Sequence, residues 1–190
     1  MIAYRDQKIN NAICYLASEH IKRAKKPAYQ TYIYKYLALF DFATLQKTGK
    51  PAIDIEYDAM DKGPVPRHLY DQRTDLKTAC YKFVSEGENS IKIVPLKKPD
   101  LDYFSQIEIE IMNSILDEFA HPWTTTEDLI LATHERICAW GKAWRRRGER
   151  LRVPMSYDDA FEGLGNKSDS ELNPEEENYL VFKGLKAVSE

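Results

Sequence analysis

The sequence is poor in cysteine and lacks the short motifs that mark common catalytic and cofactor sites. Its three cysteines, Cys14, Cys80 and Cys138, are odd in number and far apart, which argues against a disulfide framework and against a zinc site. No phosphate-binding loop, dinucleotide fingerprint, nucleophile elbow or zinc-protease helix motif is present. We therefore expect no metal, no cofactor and no catalytic residues, and we interpret the protein as a binder.

Long apolar runs and a strong net charge are also absent. No run approaches the roughly 20 apolar residues of a transmembrane helix, and residues 1–11 are too polar for a signal peptide. The net charge of -3 over 190 residues gives no overall attraction to nucleic acid or to an anionic membrane. The length fits one domain. These features predict a cytoplasmic protein without a membrane partner.

The stretch over residues 35–70 carries several local signals in succession. An apolar helix runs into Gly49 and then Pro51, a pattern that predicts a left-handed C-terminal cap. Strict apolar–acidic alternation over residues 53–59 then predicts a half-buried strand with its carboxylates in solvent.

The next residues, 63–66, read Gly-Pro-Val-Pro and predict a rigid turn. Pro66 can begin a short helix that carries Leu69 and Tyr70 on its inner side. The order is therefore helix, turn, strand, rigid turn and helix.

Elsewhere, most of the periodic pattern is helical. Helices are predicted at residues 6–25 and 33–45, after the capping pairs Ser105 with Glu108 and Thr124 with Glu127, and from Pro174 onward. A hairpin is predicted at residues 81–85 and 90–94, and we expect it to join the strand at residues 53–59 in one sheet. The fold class is therefore mainly helical α+β, a helical domain with a small antiparallel sheet of a hairpin plus one strand.

The residues of this central stretch and of a later helix together form a longer pattern. Its members are Lys35, Leu37 and Asp41, Gly49 and Pro51, Tyr57 and Ala59, Gly63, Pro64, Val65 and Pro66, Leu69 and Tyr70, and later Thr133, His134, Ala139 and Trp140. In order and spacing they resemble the Panacea domain, the SocA-like antitoxin domain of bacterial and phage toxin–antitoxin pairs. Departures occur at Ala38, Phe40 and Asp54, where the family usually has Tyr, Ala and Gly.

The resemblance implies a division of the chain and a function. Residues 1–150 would form the Panacea domain, and residues 151–190 a C-terminal extension of short helices that packs on the domain or binds a partner. Members of the family neutralise a toxin encoded beside them by direct protein contact, and SocA itself delivers its toxin to a protease. The predicted function is thus that of an antitoxin without enzymatic activity.

Two charged residues on the apolar helix, Lys35 and Asp41, need partners. They lie about 600° apart around a helix and so do not share a face. Burial of either charge is costly unless it is paired. We therefore expect each to bond to backbone or to an opposite charge, at the Gly63 turn or at the hairpin.

Two surface features are candidates for partner binding, and both have a structural alternative. Trp144, Arg145 and Arg146 lie in the basic run of residues 142–152, which suits a protein interface or phosphate contact but could instead meet the acidic residues that follow it. Tyr179, Leu180 and Phe182 form the apolar face of the last helix, which could dock into a partner or onto its own core.

Three functional alternatives remain open beside toxin neutralisation. A proteolytic adaptor would need a cytoplasmic protease as its second partner. A DNA-binding regulator of its own operon would use the basic run, although nucleic acid is the disfavoured partner. An enzyme would have to use His134, which we interpret as a structural hydrogen-bond donor because no neighbouring spacing fixes a catalytic geometry.

Overall fold

The computed structural model describes residues 2–74, 76, 78–87 and 90–189. The α-helices are α1 (Arg5–Ala24), α2 (Gln30–Thr48), α3 (Arg67–Asp71), α4 (Gln106–Phe119), α5 (Thr126–Arg136), α6 (Cys138–Arg145) and α7 (Pro174–Ser189). The strands are β1 (Tyr57–Met60), β2 (Gly63–Pro66), β3 (Tyr81–Ser85), β4 (Ile91–Pro95) and β5 (Val153–Pro154). Short 3-10 helices follow at Tyr157–Ala160, Leu164–Asn166 and Asp169–Glu171. The predicted mainly helical α+β class is confirmed.

Helix α2 is the centre of the core. Its residues from Tyr32 to Phe42 are all buried, because α1, α4, α5, α7 and β2 pack around it. It ends at Gly49, whose φ of 74° forms the predicted left-handed cap. Because this part of the helix is enclosed on all sides, Lys35 and Asp41 lie in the interior, and their placement creates the sites described below.

Strand β1 lies between β2 and β5 in an antiparallel sheet. The rigid turn predicted at residues 63–66 is wrong, because these residues form β2, paired from Met60↔Gly63 to Tyr57↔Pro66. Prolines are tolerated there because β2 is an edge strand of this sheet. Pro66 caps α3, which begins one residue later than predicted.

The strand predicted at residues 53–59 is much shorter, since β1 begins only at Tyr57. Ile53, Asp54 and Ile55 are all buried, and so is Asp58, so the expected solvent exposure is wrong for Asp54 and Asp58 and holds only for Glu56. The chain here passes through the interior with Asp54 at a φ of 50°, which breaks the two-residue period.

The predicted hairpin is confirmed, with Tyr81 opposite Pro95 and Ser85 opposite Ile91. Its expected union with residues 53–59 is wrong, because β3 and β4 form a separate two-stranded sheet. Residues 88 and 89 of the predicted hairpin turn lie outside the described residues.

The helices after the hairpin begin at reciprocal caps. The predicted pair Ser105 and Glu108 caps α4. The predicted pair at Thr124 is wrong by one residue, since Thr125 and Asp128 form the cap of α5. Thr124 is instead buried, and its carbonyl oxygen accepts a hydrogen bond from the Tyr32 hydroxyl at 3.4 Å.

The C-terminal residues pack on the domain. Ser156 caps the first 3-10 helix, and α7 begins at Pro174 as predicted. The segment at residues 163–170 between them contains 3-10 turns. Among the described residues, no helix combines the length and apolar character needed to cross a bilayer.

Candidate functional site

Helix α2 directs Lys35 and Asp41 toward two different groups of residues. Both side chains are buried, with exposures of 4% and 0%. As predicted, each bonds to backbone groups of another segment. We name the two groups the lysine cluster (Lys35, Gly63, Thr133, His134 and Trp140) and the aspartate cluster (Asp41, Ile53, Ile55, Tyr57 and Tyr157).

The lysine cluster joins α2 to β2. The Lys35 ammonium donates a hydrogen bond to the carbonyl oxygen of Pro64 at 3.1 Å, inside the predicted Gly63 region. A side chain at Gly63 would lie 2.8 Å from Thr133 Oγ1 and 3.0 Å from Lys35 Nζ, so only glycine fits this approach. Burial lowers the pKa of Lys35 from 10.5 to about 7.

The far side of this cluster is aromatic. The His134 ring stacks on Trp140 with ring centres 3.6 Å apart, and Trp140 Nε1 donates to the carbonyl oxygen of Met60 at 3.0 Å. Burial, and after it the charge of Lys35, lowers the pKa of His134. His134 Nε2 has no hydrogen-bond partner among the described residues, so the predicted role of a satisfied structural donor is wrong at this atom. The ring contributes through stacking instead.

The aspartate cluster ties α2 to the buried segment before β1 and to the C-terminal residues. The Asp41 carboxylate accepts hydrogen bonds from the amides of Ile53 at 2.9 Å and Ile55 at 3.3 Å, and from the Tyr157 hydroxyl at 2.5 Å. These partners lie neither at the Gly63 region nor at the hairpin, so the predicted location is wrong for Asp41. Burial raises the pKa of Asp41 from 3.8 to about 6, although the three hydrogen bonds oppose the shift.

The left-handed conformation of Asp54 explains how two amides reach one carboxylate. A φ of 50° at Asp54 turns the flanking N–H groups of Ile53 and Ile55 to the same side. Glycine adopts this region without strain, whereas a residue with a side chain is uncommon there. The side chain of Asp54 is held by Lys186 Nζ at 2.7 Å.

The other pattern residues hold backbone elements together. Pro51 is buried, and the Leu69 carbonyl oxygen accepts a hydrogen bond from the Tyr34 hydroxyl at 3.1 Å. The Tyr70 ring lies under the Arg73 guanidinium, 4.1 Å from its centre. Gly49 touches the backbone of α7 at Glu175 so closely that no side chain would fit.

The end of α6 presents a basic surface, which we name the basic patch (Trp144, Arg145, Arg147, Arg150 and Leu151). Trp140 and Trp144 share one helical face, with ring centres 6.0 Å apart, and the Arg147 guanidinium lies over Trp144 at 4.2 Å. Within the described part of the chain, Arg145, Arg147 and Arg150 form no salt bridge. Leu151 beside them is 83% exposed.

Two other arginines of this run form ion pairs within the chain, and one of them follows the structural alternative. Arg146 pairs with Asp159 in the acidic segment, as that alternative expected. Arg152 pairs with buried Asp58 at 2.5 Å and with Asp71 at 2.7 Å. The basic run is therefore divided between arginines that hold the fold and arginines left at the surface.

The three candidates on α7 also divide. Tyr179 and Phe182 are 4% and 6% exposed and face the chain itself, and the Tyr179 hydroxyl donates to Asp158 at 3.0 Å. Both side chains thus follow the own-core alternative, because Phe161 and α2 fill the space where a partner would lie. Leu180 is 40% exposed and remains at the surface.

Sequence reasoning missed Tyr157, Asp58 and Arg152. Tyr157 lies 116 positions after Asp41, and nothing local in the sequence indicates this pairing. Asp58 was assigned to solvent by the alternation, yet it binds Arg67 as well as Arg152. A buried-charge argument for Asp58 would have required knowing that the strand is covered on both faces.

Together the clusters and the basic patch describe a helical scaffold with a charged and aromatic surface. Among the described residues, no group of His, Cys, Asp and Glu side chains could hold a metal ion. The family model for the SocA-like antitoxin, Panacea domain, matches residues 33–141. That match covers more than half of the 190 residues, so the chain belongs to this family. No curated protein and no solved structure matches the chain.

The family name is that of an antitoxin, and it implies a toxin as partner in general. The matched range begins in α2 and ends in α6, so it contains Lys35, Asp41 and the rest of the lysine cluster. It excludes the basic patch, β5 and α7.

Proposed function

We propose that this protein neutralises one cognate toxin by direct protein–protein binding and that the basic patch is the contact surface. The observation that carries the proposal is the set of surface arginines, Arg145, Arg147 and Arg150, that form no salt bridge within the described part of the chain. They are close in sequence to Trp144 and to the exposed Leu151, and the Arg147 guanidinium lies over the Trp144 ring.

The chemistry of the patch suits a protein partner. Arginine and tryptophan are the residues most enriched among energetic hot spots of interfaces, and a protruding leucine can fill an apolar pocket. The chain as a whole carries a charge of -3, so the patch is a local basic area on an acidic protein. We expect the toxin surface to offer carboxylates around an apolar pocket, which would also speed association.

The two buried clusters support a scaffold role and no catalytic one. Lys35 and Thr133 are 4% and 0% exposed, and each donates a side-chain hydrogen bond to a backbone carbonyl oxygen. Asp41 is fully enclosed by its three donors. We assign these residues to shaping the domain, with partner choice in the residues outside the matched range.

The test is co-expression of the protein with each adjacent open reading frame, scored by growth and by recovery of the complex. A neighbour that is toxic alone, tolerated together and recovered with this protein identifies the toxin. The double variant Arg145→Glu, Arg150→Glu should then lose both protection and recovery while remaining folded.

A matched control is Lys47→Glu with Lys98→Glu, which reverses the same number of exposed charges elsewhere. Full protection by the Arg145→Glu, Arg150→Glu variant would contradict the role of the patch. Absence of any toxic neighbour would contradict the antitoxin function itself. Protection that requires a host protease, with loss of the toxin from the cell, would favour the adaptor alternative.

A DNA-binding regulator is the second candidate, and the stack of Trp140, Trp144 and Arg147 favours it because arginines beside aromatic rings also suit phosphate contacts. A mobility-shift assay with the DNA upstream of the gene tests it. Binding that weakens with salt, and with Arg145→Ala and Arg146→Ala, would support this function. Arg146 is already paired with Asp159, so Arg145→Ala should have the larger effect.

A further inference from the structure

The hairpin has one strand edge that the described residues of its own chain use only in part. Cys80 with Leu96 and Glu86 with Ser90 form backbone hydrogen bonds at 2.8 and 2.7 Å. The backbone N–H and C=O groups of the even-numbered residues of β3 therefore point toward β4. The N–H and C=O groups of the odd-numbered residues, Tyr81, Phe83 and Ser85, therefore point to the opposite edge.

Parts of both outer edges are occupied. On the β4 side, the Ile93 amide donates to the carbonyl oxygen of Ala28 at 2.8 Å. On the β3 side, the Thr78 hydroxyl accepts from the Tyr81 amide at 2.9 Å and donates to the Tyr81 carbonyl oxygen at 2.7 Å. The remaining part of the β3 edge is formed by Phe83 and Ser85. Their outward N–H and C=O groups have no hydrogen-bond partner in the residues that the structure describes.

The side chains along this edge are complementary in charge to those of the same edge in a second, antiparallel copy. Lys82, Val84 and Glu86 alternate with Tyr81 and Phe83, which pack on the core, so they lie on the face directed away from it. If two copies of β3 pair antiparallel about Val84, Lys82 of each copy lies opposite Glu86 of the other. Val84 then lies opposite Val84, and opposite charges directly across a sheet are favourable pairs.

We propose that β3 is a self-association edge that pairs with β3 of a second copy of this chain. Phe83 of one copy exchanges both backbone hydrogen bonds with Ser85 of the other, and the two-fold axis repeats the exchange. The hairpins join into one antiparallel sheet in the order β4, β3, β3 and β4. This inference does not depend on the antitoxin function.

Glu86 is already positioned for this contact. Its carboxylate accepts hydrogen bonds from Lys92 Nζ at 2.9 Å and from the Tyr29 hydroxyl at 2.8 Å, which hold it at the end of the strand. A carboxylate has about four lone-pair sites, so it can accept a further donor. Lys82 is exposed and has no salt bridge within the described part of the chain, so its ammonium is available to Glu86 of the partner subunit.

The test is sedimentation velocity of the full chain over a wide range of concentrations. We expect a monomer–dimer equilibrium that Lys82→Glu weakens by about tenfold or more, because the change sets two like-charge pairs across the interface. The double variant Lys82→Glu, Glu86→Lys should recover dimerisation. Lys98→Glu makes the same charge change at another exposed lysine and should leave the equilibrium unchanged.

A second variant tests the backbone pairing. Ser85→Pro removes an outward N–H that the hairpin does not use, so it should abolish the dimer while the circular dichroism and melting temperature stay close to those of the wild type. A protein that stays monomeric at every concentration overturns the proposal, and Lys82 would then be a charge that prevents edge pairing. A dimer that is unaffected by both Lys82→Glu and Ser85→Pro also overturns it.

Discussion

The family-matched residues 33–141 and the residues that follow them are held in place by different interactions. In the matched part, buried side chains such as Lys35 and Asp41 bond to the backbone of another segment. In the later part, half-exposed pairs such as Lys183 with Asp158 accompany a few buried contacts, those of the Tyr179 and Phe182 rings and of the Tyr157 hydroxyl with Asp41. Exposed ion pairs add little to the free energy of unfolding, whereas a buried polar group that loses its partner lowers it substantially. The comparison teaches that the matched residues define the shape and that the later residues are attached to it at a few points.

The largest effect should come from Asp41→Ala. The change leaves the amides of Ile53 and Ile55 and the Tyr157 hydroxyl without their buried acceptor. We expect the free energy of unfolding to fall by about 3–5 kcal/mol, measured by urea denaturation. Lys183→Ala, which breaks a half-exposed pair, should cost less than about 1 kcal/mol. Equal losses for the two variants would refute the comparison.

The next effect concerns the few buried points of the C-terminal attachment. Phe182→Ala removes a ring that is 6% exposed, and we expect a loss of about 2–4 kcal/mol in the same assay. Val181→Ala on the outer face, where the side chain is 60% exposed, is the control and should stay within about 0.5 kcal/mol. If Phe182→Ala also proves neutral, α7 is not docked through this ring.

The smallest expected effect, taken per pH unit, is the change in the free energy of unfolding that the titration of Lys35 causes. Its pKa is lowered in the fold from 10.5 to about 7, so between these values the unfolded chain carries a proton that the native chain lacks. Stability from this residue is therefore lowest below pH 7 and rises with pH, by up to roughly 1.4 kcal/mol per pH unit.

Lys35→Met removes this titration. The free energy of unfolding of the variant should therefore rise less steeply between about pH 7.5 and 9.5, by up to roughly 1.4 kcal/mol per pH unit. The loss of a donor for Pro64 lowers stability equally at each pH, so it does not imitate the effect. Urea denaturation at each pH measures the slope, and Lys98→Met is the exposed control. Parallel profiles for the wild type and Lys35→Met would show that the ammonium is not desolvated.

The buried clusters were only partly predictable. The bond from Lys35 to the backbone near Gly63 was foreseen, because a charge on an apolar helix needs a partner and the glycine marks a close approach. The Asp41 partners were misplaced, because they depend on the conformation of Asp54 and on a hydroxyl that lies 116 positions away. The basic patch could not be defined from the sequence either, since residues 142–152 do not reveal which arginines meet carboxylates.

Local chemistry within the sequence determined the helices with their caps at Gly49 and Ser105, the hairpin and the membership suggested by the spaced motifs. These features depend on neighbours a few positions apart, where backbone sterics and side-chain caps decide the outcome. Tertiary structure alone decided that residues 63–66 pair with β1, that Asp58 is buried between arginines, and that Phe83 and Ser85 on the edge of β3 have no backbone partner among the described residues. Each of these depends on which distant segment covers a surface, and local periodicity carries no information about that covering.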